Sequence, residues 1–433
     1  MSPDQAAKLV NNALSRAPQD ELEAAVVLEA WGGSRTTEGL RLGVEALSHD
    51  HVDTRVGSLD DDRLPPDQRT ASMASGIAVL VAIVAMALWA IPLSDVYGDS
   101  NVAVAWRLAL PVTLALQSWF TIRHASQIGL GSLPGHRGEY ALVSLVAIGG
   151  LALVPAPVGP LAAVFVMTWA TGAVLVQRGW YFGFAISNVG VSIALLSGVQ
   201  PAVALGVTTV GLVVGAVVAT HGQDEMVVAG PNARAVVAAV TGALLGVLLV
   251  IDPSIEWDSA GYVPILALVP ALVGNIWAAV YLSRLWVEVP RQLMAYNAKL
   301  YSRSALSLSW SVLSGAFARF MAAALPLSVI VAAIISNTGV PMGRIVSLLA
   351  GLEIAMVASL GLILLDIFRH QIRAALAAGS GCLAAISVAL IGAPFAGAAL
   401  VVGALVTTLL IAKPIWFALR HPDRTYATAM LLP

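Results

Sequence analysis

From Ser72 onward the chain is a series of apolar runs that recur roughly every 25–35 residues, the repeat expected of spanning helices with short connections. One run, LLAGLEIAMVASLGLILLDIF at 348–368, holds almost nothing polar for most of its length. A helix that is apolar all round must be buried in protein or in lipid. Twelve such runs lie at about 73–94, 103–124, 138–155, 159–177, 180–198, 202–221, 233–251, 262–284, 311–335, 342–366, 372–392 and 395–418. A single soluble core cannot hold them. Hydrophobic residues make up 58% of the 433 and charged residues 11%, against about 25% charged in an ordinary soluble chain. The predicted fold is therefore all-α: a polytopic membrane protein of about 12 transmembrane helices.

Loop charge tests that count, because Lys and Arg collect on the cytoplasmic side. With the N-terminus inside, the inner connections hold Arg123, Arg137, Arg178, Arg234, Arg284, Arg291, Lys299, Arg303, Arg369 and Arg373. The tail adds Lys413, Arg420 and Arg424. The outer connections YGDSN, VPAPVGP, SGVQP, IDPSIEWDSAGY, NTGVP and GAPFAG carry no Lys or Arg. Only Arg107 and Arg344 stand near outer helix ends. One helix miscounted would invert every later loop and break the pattern. Both termini are predicted to be cytoplasmic, with the chain multi-pass in a bacterial plasma membrane. The helices divide into two six-helix halves, 72–222 and 223–433, joined through THGQDEMVVAGPNAR.

Two segments lie outside this series. Residues 1–71 read as short amphipathic helices followed by a charged, Pro-containing linker, and hold more than half of the 25 acidic residues. The segment is either a solvated appendage or the dock for a cytoplasmic glycosyltransferase or assembly partner. No cleavable signal peptide is evident. The long inner connection 285–310 carries basic residues, Tyr296, Tyr301 and apolar residues at roughly helical spacing. It reads as an amphipathic helix on the inner membrane surface.

Several chemistries lack their motifs. GLGSLPG at 129–135 has no Lys-Ser/Thr, so it is not a phosphate loop. There is no HExxH and no GxSxG, and the His residues are scattered. The single Cys382 lies in an apolar run, so no disulfide frame and no cysteine metal site exist. Outer Asp95, Asp99, Asp252, Glu256 and Asp258 sit in small loops and read as solvated charges rather than catalysts. The chain is expected not to be an enzyme, to hold no metal or cofactor and to bind no nucleic acid.

The candidate functional residues are the few polar groups inside the apolar runs, since an ionisable group there is costly and normally faces the bundle interior. Glu353 stands near the centre of its run. Arg319, in SGAFARFMAAALPL, lies at a similar depth on the preceding run, counted from the inner end. The predicted arrangement is a Glu353–Arg319 salt bridge, either static or gated, with Glu353 alternatively a proton-coupling carboxylate. Arg107 either snorkels outward or meets an anionic substrate. Asn188 and Asn275 read as helix–helix hydrogen-bonding groups or substrate contacts. Pro111, Pro264, Pro270 and Pro326 are expected to weaken or kink their helices.

The layout of twelve helices, both ends inside, short outer loops and no ATPase motif resembles the MOP flippase superfamily, which includes the polysaccharide and lipid II flippases. The likeness is strongest in PRQLMAYNAKLYSRSALSLSWSVLSGAFARFMAAALPLSVIVAAIISNTG and in LLDIFRHQIRAALAAGSGCLAAISVALIGAPFAGAALVVGALVTTLL. The resemblance implies alternating-access export of a lipid-linked saccharide. It also implies a cavity in which cations, here Arg107 and Arg319, meet the substrate's pyrophosphate. Membrane lipid and the lipid-linked saccharide would be the partners. The other readings are a membrane glycan polymerase or ligase, a major-facilitator-type transporter, and a scaffold subunit of an envelope assembly. GSLPGHRGE is a poor match to the major-facilitator inner loop.

Overall fold

The structure is a computed structural model that describes Leu28 and residues 66–125, 137–177, 179–219, 233–252, 263–282, 298–337, 339–368, 370–392 and 397–420. Every regular element among the described residues is a helix. In chain order they are α1 Pro66–Tyr97, α2 Asp99–Ala125, α3 Arg137–Ala152, α4 Val158–Gln177, α5 Tyr181–Leu196 and α6 Pro201–Ala219. There follow α7 Ala233–Val250, α8 Val263–Leu282, α9 Ala298–Ser336, α10 Met342–Ile367, α11 Gln371–Ile391 and α12 Ala398–Arg420. Among the described residues nine helices are long and apolar enough to cross a membrane, and α5 and α8 are apolar but shorter. The chain is a multi-pass membrane protein by this measure. Residues 1–65, apart from Leu28, lie outside the described residues, and with them the expected docking segment.

Helix ends follow local chemistry. α1 starts earlier than the apolar run because Pro66 occupies its first position, where a missing N–H costs nothing. The α1–α2 turn holds Gly98 at φ 85°, a left-handed conformation that glycine adopts without strain. The main departure from the predicted spans is α9. It starts at Ala298 rather than 311 and runs 39 residues, about 58 Å of helix. A bilayer with its headgroups is about 40–45 Å thick, so α9 overhangs it. The part of the expected surface-lying helix that falls at 298–310 is the first turns of α9 itself, while 283–297 lie outside the described residues.

The helix pairings repeat. α1 packs on α5, α2 on α4, α4 on α6, and α5 on α6. In the same order α7 packs on α11, α8 on α10, α10 on α12, and α11 on α12. Among the packing pairs of the first six helices only α1–α2 lacks an equally evident counterpart in the last six. The two most extensive pairings between the halves, α2–α7 and α1–α8, also exchange under the repeat, and α2 makes smaller contacts with α8 and α10. α2–α7 is the most extensive contact between any two helices.

That seam is tight because α7 presents glycine. A Cβ on Gly246 would overlap the Pro111 backbone, and one on Gly242 would overlap the Leu114 carbonyl and Ser118 Oγ. Small residues four apart let two membrane helices bring their backbones together, where van der Waals contact replaces the missing hydrophobic drive. The α1–α8 side is different. There Trp89, Ala90 and Leu93 share an apolar cluster with Ile265, Val269 and Val273. Those residues occupy the half of each helix nearest the α1–α2 turn. Midway along α1, Ala82 joins Leu175, Phe184 and Leu212, all from its own half, while Leu80 still packs against the shared cluster. Outward faces stay apolar, as Val203, Val207, Val210 and Val214 of α6 show by their exposure, which lipid tolerates and water would not.

Candidate functional site

Three of the five predicted residues belong to one helix trio, α8, α9 and α10. Glu353 on α10 accepts a 2.6 Å hydrogen bond at Oε1 from Ser328 Oγ on α9. It does not pair with Arg319. The reason is register. Counted from the turn that α9 and α10 share, Ser328 lies about 12 Å deep and Glu353 about 16 Å, whereas Arg319 lies about 26 Å deep. The expectation measured Arg319 from the inner end of a run taken to span only the hydrocarbon core. The run 311–335 is itself about 37 Å long as a helix, more than the roughly 30 Å core, so Arg319 stands about 9 Å past Glu353 when both are counted from the shared turn. A short hydroxyl-to-carboxyl hydrogen bond satisfies one Glu353 oxygen without any cation.

Arg319 is seated differently. Its guanidinium stacks over the Tyr281 ring of α8 at 3.6 Å from the ring centroid. Nη1 donates to the Gly315 carbonyl one turn back on α9 at 3.1 Å. Gly315 makes the stack possible, because a Cβ there would strike the Tyr281 ring. Below it, Gly274 of α8 lies against Phe320 and Ala324, bringing α8 and α9 to close approach. A cation over an aromatic face is stabilised by about 2 kcal/mol when desolvated. The planar fork of an arginine so held still offers most of its five N–H donors. No carboxylate of the described residues contacts it at ion-pair distance.

Asn275 on α8 completes the trio. Its Nδ2 donates to Ser359 Oγ of α10 at 2.8 Å, and Ser359 Oγ in turn donates to the Met356 carbonyl. Asn275 Oδ1 is buried without a hydrogen-bond partner. Asn188 is remote from these groups, in the α1–α5 pair. It is fully buried, and Nδ2 donates to the Phe184 carbonyl of its own helix. The cross-helix bonds beside it come from Trp89 Nε1, which reaches the Asn188 carbonyl at 3.4 Å, and from Ser192 Oγ, which reaches the Ala85 carbonyl at 2.9 Å.

Arg107 lies half-buried on the α2–α7 seam, where Nη2 donates to the Val250 carbonyl at 3.3 Å. Asp252, expected as a solvated loop charge, is fully buried. Its Oδ2 accepts from the Leu400 N–H at 3.0 Å, one of the first N–H groups of α12, which have no partner within the helix. Glu256 and Asp258 lie outside the described residues. Asp95 is exposed. Among the described residues no group of three or more His, Cys, Asp or Glu could hold a metal ion.

Sequence reasoning missed Ser328, Tyr281 and the buried role of Asp252. Depth counting from the shared α9–α10 turn finds Ser328. Tyr281 has no local signal, because an aromatic at a helix end reads equally as an interfacial anchor. No protein-family model, curated protein or solved structure matches the chain.

Proposed function

We propose that this protein is an alternating-access membrane carrier of the flippase type, exporting a lipid-linked saccharide across a bacterial plasma membrane. On this reading all twelve helices span, both termini are cytoplasmic and the fold is that of the MOP flippase superfamily. The observation that carries the reading is the repeated pairing of two six-helix halves joined by exchanging cross-contacts, α2–α7 and α1–α8. The α1 and α8 residues Trp89, Leu93, Ile265 and Val269 of their shared cluster stand toward the outer end, and the cluster that Ala82 joins midway along α1 is drawn from the first half alone. Two similar halves hinged near one face are suited to rocking, because each half moves as a packed body. Arg319, on the inner part of α9 and aimed by Tyr281, supplies the cation for a phosphate group that enters from the cytoplasmic leaflet.

The test is the leaflet distribution of lipid-linked saccharides in host cells depleted of the protein, read with a membrane-impermeant probe on spheroplasts. Build-up of a complete precursor on the cytoplasmic leaflet supports the carrier and identifies its cargo. Build-up of unpolymerised precursor on the outer leaflet indicates a polymerase and overturns it. In a reconstituted flipping assay Arg319→Ala is expected to lower the rate at least about tenfold, the loss of one charged contact, and Arg319→Lys to recover part of it.

A further inference from the structure

The residues that close the outer end of the seam do not contact the trio around Arg319. We infer that Arg107 and Asp252 form a latch that holds the two halves together at the outer face. The inference rests on the carrier reading above. Val250 is the last residue of α7, so its carbonyl is one of the four at that end with no partner inside the helix. The guanidinium of Arg107 reaches it from α2 in the other half, and a cation is favoured at a helix C-terminus. Two residues on, Asp252 turns inward and accepts from Leu400 near the N-terminus of α12, where an anion is favoured. One short segment therefore ties α2, α7 and α12 together, with charge of the right sign at each helix end.

The surroundings make the tie a switchable one. Ala103 on α2 and Leu400 on α12 are fully buried beside it in the same apolar cluster. Deeper along the seam the contact is glycine against backbone, at Gly246–Pro111 and Gly242–Leu114. Such contact carries no directional bond between side chains, so Arg107 supplies the hydrogen bond that fixes the register. Pro111 lacks the N–H that would bond the Arg107 carbonyl one turn back. α2 is thus weakest at the turn that bears the latch, and outward opening requires Arg107 to leave the α7 carbonyl. Asp252 acts as a positioning residue, because it holds the α7 end where Arg107 finds it.

The test uses cysteine accessibility in the full chain. The single Cys382 is replaced by alanine, and a reporter cysteine is placed at Ala103 on the seam. A control reporter is placed at Ala162, fully buried near the start of α4 in a separate apolar cluster that holds neither Ala103 nor Leu400. A membrane-impermeant maleimide is added from outside. Arg107→Gln is expected to raise Ala103→Cys labelling about tenfold, as loss of a charged hydrogen bond from the closed state requires. Arg107→Lys, which keeps the charge and a donor, is expected to stay near the parent, and Asp252→Asn to give a smaller rise. Unchanged labelling with Arg107→Gln overturns the latch. So does an equal rise at Ala162→Cys, since that is general loosening. The flipping assay on the parent protein decides the carrier reading separately: a parent that flips with an unresponsive Arg107→Gln fails the latch alone.

Discussion

The two halves share one pairing scheme and are packed by different means. In the first half Gly183, Gly190, Gly206 and Gly211 would meet nothing within 4 Å if they carried a Cβ, and Gly172, which seats the Phe184 ring, is an exception. That half is fastened by large side chains: Trp106 lies 4.7 Å from Phe165, and Trp89 reaches the same ring from α1 at 6.4 Å. In the second half glycine is the contact itself. Gly381 and Gly403 bring α11 and α12 together, and Gly351 and Gly361 seat Leu400 and Ile411 of α12 on α10. The consequence shows in burial: α12 is 39% buried over its best span, and its counterpart α6 only 22%. In lipid, apolar side chains gain nothing by leaving solvent, so close packing has to do what the hydrophobic effect does in water. The half with more of these glycine contacts also carries Glu353, Arg319 and Asn275.

The comparison is tested most severely by filling the glycine contacts. Gly246→Val is expected to cost about 3 kcal/mol or to prevent folding, since the added atoms meet the Pro111 backbone and neither helix can yield locally. Gly190→Ala in the first half is expected to leave stability unchanged or raise it by about 1 kcal/mol through helix propensity. Thermal unfolding in detergent reads both, and equal melting of the two variants would break the contrast. Gly381→Ala is expected to cost about 2 kcal/mol, because its methyl falls on Thr407 Oγ1, while Gly206→Ala costs nothing measurable.

A smaller effect concerns Glu353. Ser328→Ala removes its hydrogen-bond donor and is expected to lower stability by about 1–2 kcal/mol. Glu353→Gln keeps an acceptor for Ser328 and is expected to melt within about 0.5 kcal/mol of the parent. Destabilisation by Glu353→Gln as large as that of Ser328→Ala would mean that the negative charge itself is required for folding.

The smallest effect is set by pH. Burial, and then the neighbouring Arg373 charge, lower the pKa of His370 at the α10–α11 turn from the usual 6.5. The folded state thus disfavours the proton relative to the unfolded chain. The stabilisation is complete above pH 6.5 and is lost as pH falls from there through the lowered folded value. His370→Gln should flatten the dependence of melting on pH below 6.5, and an unchanged profile would remove His370 from consideration.

Helix positions were legible because each is a local property. The run at 342–366 is α10, Met342–Ile367, and the run at 233–251 is α7, Ala233–Val250. Hydropathy alone decides where such a segment begins and ends. It fails at α9, where a polar helix continues an apolar one without a break, and at α1, where a proline start precedes the apolar run. The polar residues inside the runs were equally visible, since each one is expensive where it stands. Their partners were not. Glu353 bonds Ser328 and not Arg319 because depth has to be counted from the turn that α9 and α10 share, and from there Ser328, not Arg319, comes level with it.

The sequence by itself determined that this chain is helical and membrane-crossing, which helices it has and which side chains among them are out of place in lipid. Those follow from composition over windows of about 20 residues, which no tertiary contact can overrule at this hydrophobicity. Only the tertiary structure decided that α7 meets α2 backbone to backbone, that Tyr281 carries Arg319, and that Asp252 is buried under α12. Those contacts depend on rotation and depth of helices far apart in the chain. A rotation by one residue moves a side chain about 100° around its helix, and hydropathy, nearly uniform on every face here, does not record it.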